Sequence, residues 1–253
     1  MRRQAARGWL ERWEAMQDRY VYQREPRFEA MGEILEAMGK GPRRILDLGC
    51  GPGSLSLRLL RRFPRARVVA VDQDPVLLQL GRSAWGDFGG RLQWVDEDLR
   101  RAPWGEGPLR GPFDAAVSTT ALHWLSTREL RKVYAGVAHV LRRGGGLLNG
   151  DSMPFSPAAP TLDSRVRAWM HRLYRSDPTG TGGESWTGFW RAISRVEELN
   201  PELEERARRY PSRHSAENHL RPSEQVRLLR AAGFREAEVL WQAMSNRVLV
   251  ALR

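Results

Sequence analysis

The stretch Ile45-Leu46-Asp47-Leu48-Gly49-Cys50-Gly51-Pro52-Gly53 decides the fold of this chain of 253 residues. Its first four residues have the pattern of a short buried strand, the glycines predict a tight turn, and leucines within residues 55–60 predict a helix. Such a turn lets a ligand approach the backbone and bind the free N–H groups of the helix N-terminus. A dinucleotide fingerprint would need a further glycine at position 54, which is serine, so a hydride-transfer enzyme is disfavoured.

Strand and helix patterns alternate on the carboxyl side of this loop. Four more strands are predicted, over residues 67–72, 91–95, 113–118 and 146–151. Before the last of them, Ser126 and Glu129 form a capping box, and a helical stripe runs from Leu130 to Leu141 until Gly144–Gly146 end the helix. This alternation predicts an α/β fold with a doubly wound, mostly parallel sheet that binds ligands at the carboxyl ends of its strands.

The two ends of the chain depart from this alternation. Residues 1–43 contain two predicted helices, and residues 152–220 contain helical patterns without a convincing strand. Farther on, strands at 237–242 and 247–252 are so close in sequence that they must form an antiparallel hairpin. We predict an N-terminal helical lid at 1–43 and one domain over 44–253, with a helical cap inserted at about 152–220.

Asp72 ends the second predicted strand, in the sequence VVAVDQD. A carboxylate at this position can accept hydrogen bonds from both hydroxyl groups of a ribose, which indicates a nucleoside-containing ligand. The alternative is that an aspartate here only caps the helix that Pro75 begins. Asp74 directly precedes that proline and is the better cap, so we assign the ribose to Asp72.

Composition limits the class of protein and of partner. The formal charge of +11 is compatible with RNA binding, but the basic residues are spread along the chain rather than gathered in a tail. No apolar run approaches the roughly 18 residues of a membrane-spanning helix, and acidic residues interrupt the stretch where a signal sequence would be apolar. Cys50 is the single cysteine, so no intramolecular disulfide can form. We expect a soluble protein of the reducing cytoplasm.

Several motifs, in the order found here, resemble the class I S-adenosylmethionine-dependent methyltransferases. The resemblance rests on the glycine stretch, Asp72, the segment Glu97-Asp98-Leu99, the FDAAVS strand and the C-terminal hairpin. It covers residues 44–151 and resumes at 221–253. It implies a Rossmann-like seven-stranded sheet with an antiparallel last strand, and S-adenosylmethionine as the cofactor. The order of segments most resembles members that act on small molecules, of the trans-aconitate methyltransferase and natural-product tailoring types.

The same resemblance implies which residues contact the cofactor. They are Asp47, Gly49, Cys50, Gly51, Gly53, Asp72, Gln73, Asp98, Leu99 and Ser118. The loop residues and Asp47 would hold the amino-acid part, with the backbone of Ser118 close to its amine. Asp72 and Gln73 would hold the ribose, while Asp98 and the backbone of Leu99 would bind the adenine. In the lid, Tyr20, Tyr22 or Arg24 would reach the cofactor carboxylate.

His123 follows the fourth predicted strand, at the end of the sheet where the transferable methyl group should point. An imidazole there can remove a proton from a hydroxyl or amine, can position the acceptor, or can simply pack beside Trp124. We name His123 as the candidate catalytic residue and keep all three roles open. Cys50 lies at a helix N-terminus, but we interpret it as a small turn residue and not as a nucleophile.

The cap is rich in aromatic and histidine side chains. They are Trp169, His171, Tyr174, Trp186, Trp190, His214 and His219. Helical spacing favours packing for most of the rings, with one or two lining an acceptor site. The histidines lack the close spacing of metal ligands, so we expect no metal.

We therefore predict methyl transfer from S-adenosylmethionine to a small organic molecule, at an oxygen, nitrogen or carbon atom that the sequence does not specify. One alternative is an RNA methyltransferase, which the charge favours. Another is a non-catalytic module that binds the cofactor, since a fold alone does not establish activity. We see no RNA-binding motif and expect neither nucleic acid nor membrane as a partner, and we leave the oligomeric state open.

Overall fold

The computed structural model describes residues 1–39, 41–175, 184–210 and 219–253. Its strands are β1 (Arg44–Leu48), β2 (Arg67–Asp72), β3 (Leu92–Asp96), β4 (Phe113–Thr119), β5 (Leu141–Ser152), β6 (Glu236–Ala243) and β7 (Asn246–Leu252). They form one sheet in the order β3-β2-β1-β4-β5-β7-β6. Strands β1 to β5 pair in parallel, and β7 runs antiparallel to both of its neighbours. The predicted α/β class, Rossmann-like sheet and antiparallel last strand are confirmed.

The described helices follow the sequence signals closely. They are α1 (Arg3–Tyr20), α2 (Arg24–Ala37), α3 (Ser54–Arg62), α4 (Pro75–Trp85), α5 (Thr127–Val140), α6 (Pro160–Arg175), α7 (Trp186–Ile193), α8 (Asn200–Arg209) and α9 (Pro222–Ala231). The capping box of Ser126 and Glu129 begins α5, as predicted. Among these helices, none has the length and apolar character needed to cross a membrane.

Three apolar clusters hold the layers together. The first fills one face of the sheet, where Tyr134 of α5 and Leu229 of α9 are buried. The second fills the opposite face, beneath α2 and α3, and contains Met31 and Leu59. The third lies among the helices α1, α4 and α7. The sheet is therefore covered on both faces, and the strand ends are left as the place for a ligand.

One predicted boundary is wrong. The helical stripe predicted that the helix before the fifth strand continues through Leu141, but β5 already starts at that residue. Leu141 pairs with Phe113, and the register then shifts before Gly146 pairs with Ala115. Strand pairing overrides the helical pattern because the glycines tolerate the shift in register. Gly144, for example, has a φ of 73°.

The predicted lid and cap pack together beside the glycine loop. Trp13 of α1 lies against Phe189 of α7, with ring centroids 5.5 Å apart. Both residues share an apolar cluster with Leu77 and Leu80 of α4. Helices α1, α4 and α7 thus form one layer, while the limits proposed for lid and cap stay predictions.

Candidate functional site

The glycine loop is bound to the end of β2. The backbone N–H of Gly49 donates to the Val71 carbonyl at 2.8 Å, and the N–H of Gly51 donates to Asp72 Oδ2 at 2.7 Å. Gly49 has a φ of 68°, and a Cβ there would lie 2.3 Å from the Cβ of Ala121. Both conformation and space therefore require glycine at position 49. The loop, the end of β2 and the segment after β4 meet at the carboxyl ends of the parallel strands.

Asp72 is held by backbone donors. Its Oδ2 accepts from Gly51, and its Oδ1 accepts from the N–H of Asp74 at 2.8 Å. Each carboxylate oxygen keeps a second lone pair for a ligand hydroxyl. Asp74 caps α4 by accepting from the N–H groups of Val76 and Leu77, as predicted, while the assignment of the ribose to Asp72 stays a prediction. Burial, and then the charge of Asp74, raise the pKa of Asp72 to about 6.

Asp47 is a buried acceptor with one unused oxygen. Its Oδ2 accepts from the Ser56 hydroxyl at 2.6 Å, while Oδ1 has no hydrogen-bond donor among the described residues. Burial raises the pKa of Asp47 to about 7, and the nearby charge of Asp72 adds to this effect. A buried carboxylate oxygen without a partner is costly, so this position favours a cationic ligand group.

We expect Asp47→Asn to stabilise the protein without ligand and to weaken cofactor binding. Because the pKa of Asp47 is raised in the folded state, the wild type loses stability as pH rises from about 4 to about 7. Asparagine does not ionise, so the variant does not lose stability in this way. Its free energy of unfolding should exceed that of the wild type by about 1 to 3 kcal/mol at about pH 8 and by less at about pH 5. Its affinity for a cationic ligand should fall about tenfold.

Thermal and denaturant unfolding at the two pH values measure the stability change. Asp114→Asn is the matched control, because Asp114 accepts from the N–H groups of Arg43 and Arg44 and from Arg142 at the far edge of the sheet. These partners outweigh burial and lower the pKa of Asp114, so its substitution should destabilise the protein. A loss of stability in Asp47→Asn at both pH values would contradict the assignment.

Asp98 and Leu99, the residues expected around the adenine, follow β3, and Arg100 joins Asp98 to Gln73, which was expected at the ribose. Arg100 Nε donates to Asp98 Oδ1 at 2.8 Å and to Oδ2 at 2.9 Å, and its Nη2 donates to Gln73 Oε1 at 3.2 Å. Burial opposes ionisation of Asp98, but Arg100 outweighs it and lowers the pKa. Leu99 packs against the first apolar cluster. The sequence did not indicate Arg100 as a site residue, because its position there depends on contact with Gln73, 27 residues away.

His123 forms a hydrogen-bonded pair with Asp151. The imidazole lies on a short 3₁₀ helix, Leu122–Trp124, and its Nδ1 is 2.8 Å from Asp151 Oδ1 and 3.1 Å from Oδ2. Burial opposes ionisation of Asp151, but His123 and Arg27 outweigh it and lower the pKa. A charged carboxylate fixes Nδ1 as the protonated nitrogen, so Nε2 is the nitrogen that can accept a proton. Asp151 was predicted only as the end of a strand.

Two other predicted site residues are fully enclosed. The Ser118 hydroxyl donates to the Leu48 carbonyl at 2.8 Å, which joins β4 to β1 near the carboxyl ends of both strands. The Cys50 side chain is buried within the second apolar cluster. Burial raises the pKa of the Cys50 thiol well above its usual value, which supports the interpretation as a turn residue.

Of the three lid residues, Arg24 is linked through Glu14 to the helix that follows the glycine loop. Arg24 and Arg58 hold the Glu14 carboxylate at 2.8 and 3.0 Å, and Glu14 also accepts from the hydroxyl of Ser54, the first residue of α3. Burial opposes ionisation of Glu14, but the arginines outweigh it and lower the pKa to about 2. A carboxylate is thus stable beside this helix N-terminus. The other two residues, Tyr20 and Tyr22, contact the cap instead.

The described cap aromatics mostly pack against the lid. Trp169 lies against Tyr22, Trp186 against Trp13 and Trp190 against Phe189, with centroids 5.4, 5.8 and 5.6 Å apart respectively. His171 and His219 lie on the surface, while His214 and the side chain of Tyr174 fall outside the described residues. Within the described ranges, no group of three or more His, Cys, Asp or Glu residues is placed to hold a metal ion.

Known proteins resemble this chain in sequence. A family model described as a methyltransferase domain matches residues 45–145. Malonyl-[acyl-carrier protein] O-methyltransferase of Geobacter sulfurreducens is 34% identical over 183 residues, which are 69% of this chain and 66% of that protein. Trans-aconitate 2-methyltransferase of Streptomyces avermitilis is 32% identical over 118 residues, which are 45% of this chain and 41% of that protein. The chain thus spans between about two fifths and two thirds of these relatives.

Solved structures resemble the chain over most of its length. An O-methyltransferase family protein from Burkholderia thailandensis superposes with a TM-score of 0.60 and 21% sequence identity. The superposition covers 90% of this chain and 55% of that protein. At this identity the likeness shows the fold.

Proposed function

Because this chain belongs to the class I S-adenosylmethionine-dependent methyltransferases, we propose that it transfers a methyl group from S-adenosylmethionine to a small organic molecule. The observation that carries the proposal beyond the fold is the pairing of His123 with Asp151 at the edge of the sheet. This imidazole lies two residues after Ala121, which contacts the glycine loop. A module that only binds the cofactor has no need of an oriented imidazole at this place.

The residues at this edge fit the cofactor. Asp47 has a buried oxygen without a described donor, for which the amino group of the cofactor's amino-acid part is a suitable partner. Asp72 has lone pairs for two ribose hydroxyls, and Asp98 is an ionised acceptor suited to the adenine amino group. Arg24 binds the carboxylates of Glu14 and Asp18, and its guanidinium is of the type that would bind the carboxylate of the cofactor as well.

Catalysis then divides between positioning and proton removal. The bound cofactor supplies a methyl group on a positively charged sulfur. The chain holds the acceptor in line with that methyl group, and Nε2 of His123 takes the proton that the acceptor loses. Asp151 stabilises the imidazolium that results and keeps the ring in its productive orientation.

This geometry favours an acceptor whose reacting atom carries a proton. A hydroxyl group fits first and an amine second, because both must lose a proton when they are methylated. A carboxylate acceptor is already ionised near neutrality and would not need the imidazole. The name of one relative, malonyl-[acyl-carrier protein] O-methyltransferase, supports an oxygen acceptor, but a malonyl group offers a carboxylate, so the preference for a hydroxyl rests on the imidazole pair alone.

An RNA acceptor is the second candidate, because the chain carries a net charge of +11. The structure supports a different use for several of the arginines. Arg58, Arg62, Arg142, Arg206 and Arg209 all form ion pairs within the protein. These cations stabilise contacts between helices and strands and are partly neutralised, which favours the small acceptor. A cytoplasmic location also stays a proposal, supported by the use of a single, buried cysteine.

Transfer of a labelled methyl group from the cofactor tests the acceptor class. We expect label in small hydroxylated molecules of a bacterial extract and none in purified RNA, because the imidazole pair suits a single protonated group. His123→Ala is the control that should remove the signal. Labelled RNA, together with RNA affinity whose salt dependence indicates about six or more phosphate contacts, would favour the second candidate instead.

A further inference from the structure

We propose that helix α8 responds to the cofactor, because Arg206 and Arg209 position the two loops that form the nucleoside side of the site. Cofactor binding and the position of the cap are then coupled. The inference rests on the proposed use of S-adenosylmethionine, and it assigns a role to a helix in which no cofactor-contacting residue was predicted.

Arg209 connects α8 to both nucleoside loops at once. Its Nη1 donates to the backbone carbonyl of Gln73 at 2.8 Å, and its guanidinium forms an ion pair with Asp96, the last residue of β3. Glu205, one turn earlier on α8, accepts from Arg209 Nε at 2.7 Å and orients the side chain. Gln73 directly follows Asp72, so Arg209 fixes the backbone on which the ribose-binding carboxylate depends.

Arg206 binds the same region from the adjacent turn of α8. Its Nε donates to Asp74 Oδ2 at 2.7 Å, while the other oxygen of Asp74 caps α4. Trp190 lies under the guanidinium at 3.6 Å from its ring centroid. Asp74 also donates its N–H to Asp72. Arg206 therefore offsets a negative charge that would otherwise oppose the ionised form of Asp72.

The N-terminal end of α8 is joined to the cap and lid helices, while no residue of α8 itself is buried. Leu199, just before α8, is fully buried in the apolar cluster that also contains Trp13 and Phe189. Trp190 belongs to α7 and packs on the edge of this cluster. A change in the nucleoside loops therefore reaches α7 and α1 through α8 by direct contact. Because coupling is reciprocal, a cofactor that orders these loops also stabilises the cap.

Hydrogen exchange of residues 200–209 with and without S-adenosylhomocysteine tests the coupling. In the wild type we expect the ligand to increase protection of this segment. Arg209→Gln should lose most of that increase and raise the dissociation constant for the ligand about 3- to 10-fold, as calorimetry would measure. Arg209→Lys should restore little, because an ammonium group cannot bind a carbonyl and a carboxylate as a planar fork does.

Arg208→Gln is the matched control. Arg208 is the exposed neighbour on α8, and within the described part of the chain its ion pair is with Glu205. Its substitution should leave both protection and affinity near those of the wild type. Asp96→Asn removes the Arg209 ion pair from the sheet side and should reproduce the effect of Arg209→Gln without any change in α8 itself.

Three outcomes would overturn the inference. Ligand binding without a change in exchange over 200–209 would exclude the coupling while leaving the proposed function intact. Equal behaviour of Arg209→Gln and Arg208→Gln would exclude Arg209 as the positioning residue. If the wild type fails to bind S-adenosylhomocysteine, the proposed function fails and this inference fails with it.

Discussion

His123→Ala should lower the turnover of methyl transfer by about 100- to 10,000-fold, with cofactor affinity nearly unchanged. The reason is that Nε2 is the proposed proton acceptor and that Asp151 holds the ring in place through Nδ1. The wild-type rate should depend on pH near neutrality, as expected for an imidazole base, and the variant should lose this dependence. Steady-state kinetics and calorimetry together measure both quantities.

Two further variants separate catalysis from packing. Asp151→Asn keeps the size of the side chain but removes its charge, so turnover should fall in the same direction by a smaller factor. His139→Ala removes an exposed histidine from the end of α5, near Gly105, and should leave activity unchanged. A His123→Ala variant with normal turnover and normal acceptor affinity, but a lower melting temperature, would show that His123 only packs beside Trp124.

Asp72→Ala should weaken binding of S-adenosylmethionine and of S-adenosylhomocysteine by roughly 10- to 150-fold. Losing hydrogen bonds to a charged group costs about 1.5 to 3 kcal/mol, which corresponds to that range. Because burial raises the pKa of Asp72 to about 6, wild-type affinity should also decrease as pH falls below that value and the carboxylate is protonated. Calorimetric titration at several pH values measures both effects.

Asp87→Ala is the matched control for this substitution. Asp87 lies in the loop after α4, and its carboxylate accepts a local hydrogen bond from the N–H of Gly89. The cofactor affinity of the Asp87→Ala variant should equal that of the wild type. Asp72→Asn is a second check on folding, since its amide oxygen can still accept from Gly51 or Asp74. Unchanged cofactor affinity in a folded Asp72→Ala variant would remove Asp72 from the ribose site.

The parts of the fold that the sequence predicted are those with local causes. The glycine loop, the strand ending in Asp72 and the helix capped by Asp74 each depend on residues within a few positions of one another. The hairpin of β6 and β7 was predicted because its turn is too short for any other arrangement. The start of β5 at Leu141 was not predicted, because the pairing of Leu141 with Phe113, 28 residues earlier, outweighed a local helical pattern.

The parts of the site that the sequence did not predict depend on contacts between distant segments. Asp151 is 28 residues from His123, and Arg209 is 113 residues from Asp96. Neither pairing has a local signal, because a carboxylate ending a strand and an arginine on a polar helix are both common at a surface. The carboxyl edge of the sheet could have indicated Asp151, since His123 follows β4 and Asp151 lies at the end of the neighbouring strand β5.

Calorimetric titration of the purified protein with S-adenosylhomocysteine tests the central claim most directly. We expect saturable binding at a single site per chain, weakened in Asp72→Ala and unchanged in Asp87→Ala. That result would place the nucleoside at the end of β2, where the glycine loop and the two aspartates meet. No saturable heat at ligand concentrations up to about 1 mM, which corresponds to a binding free energy weaker than about −4 kcal/mol, would contradict the account.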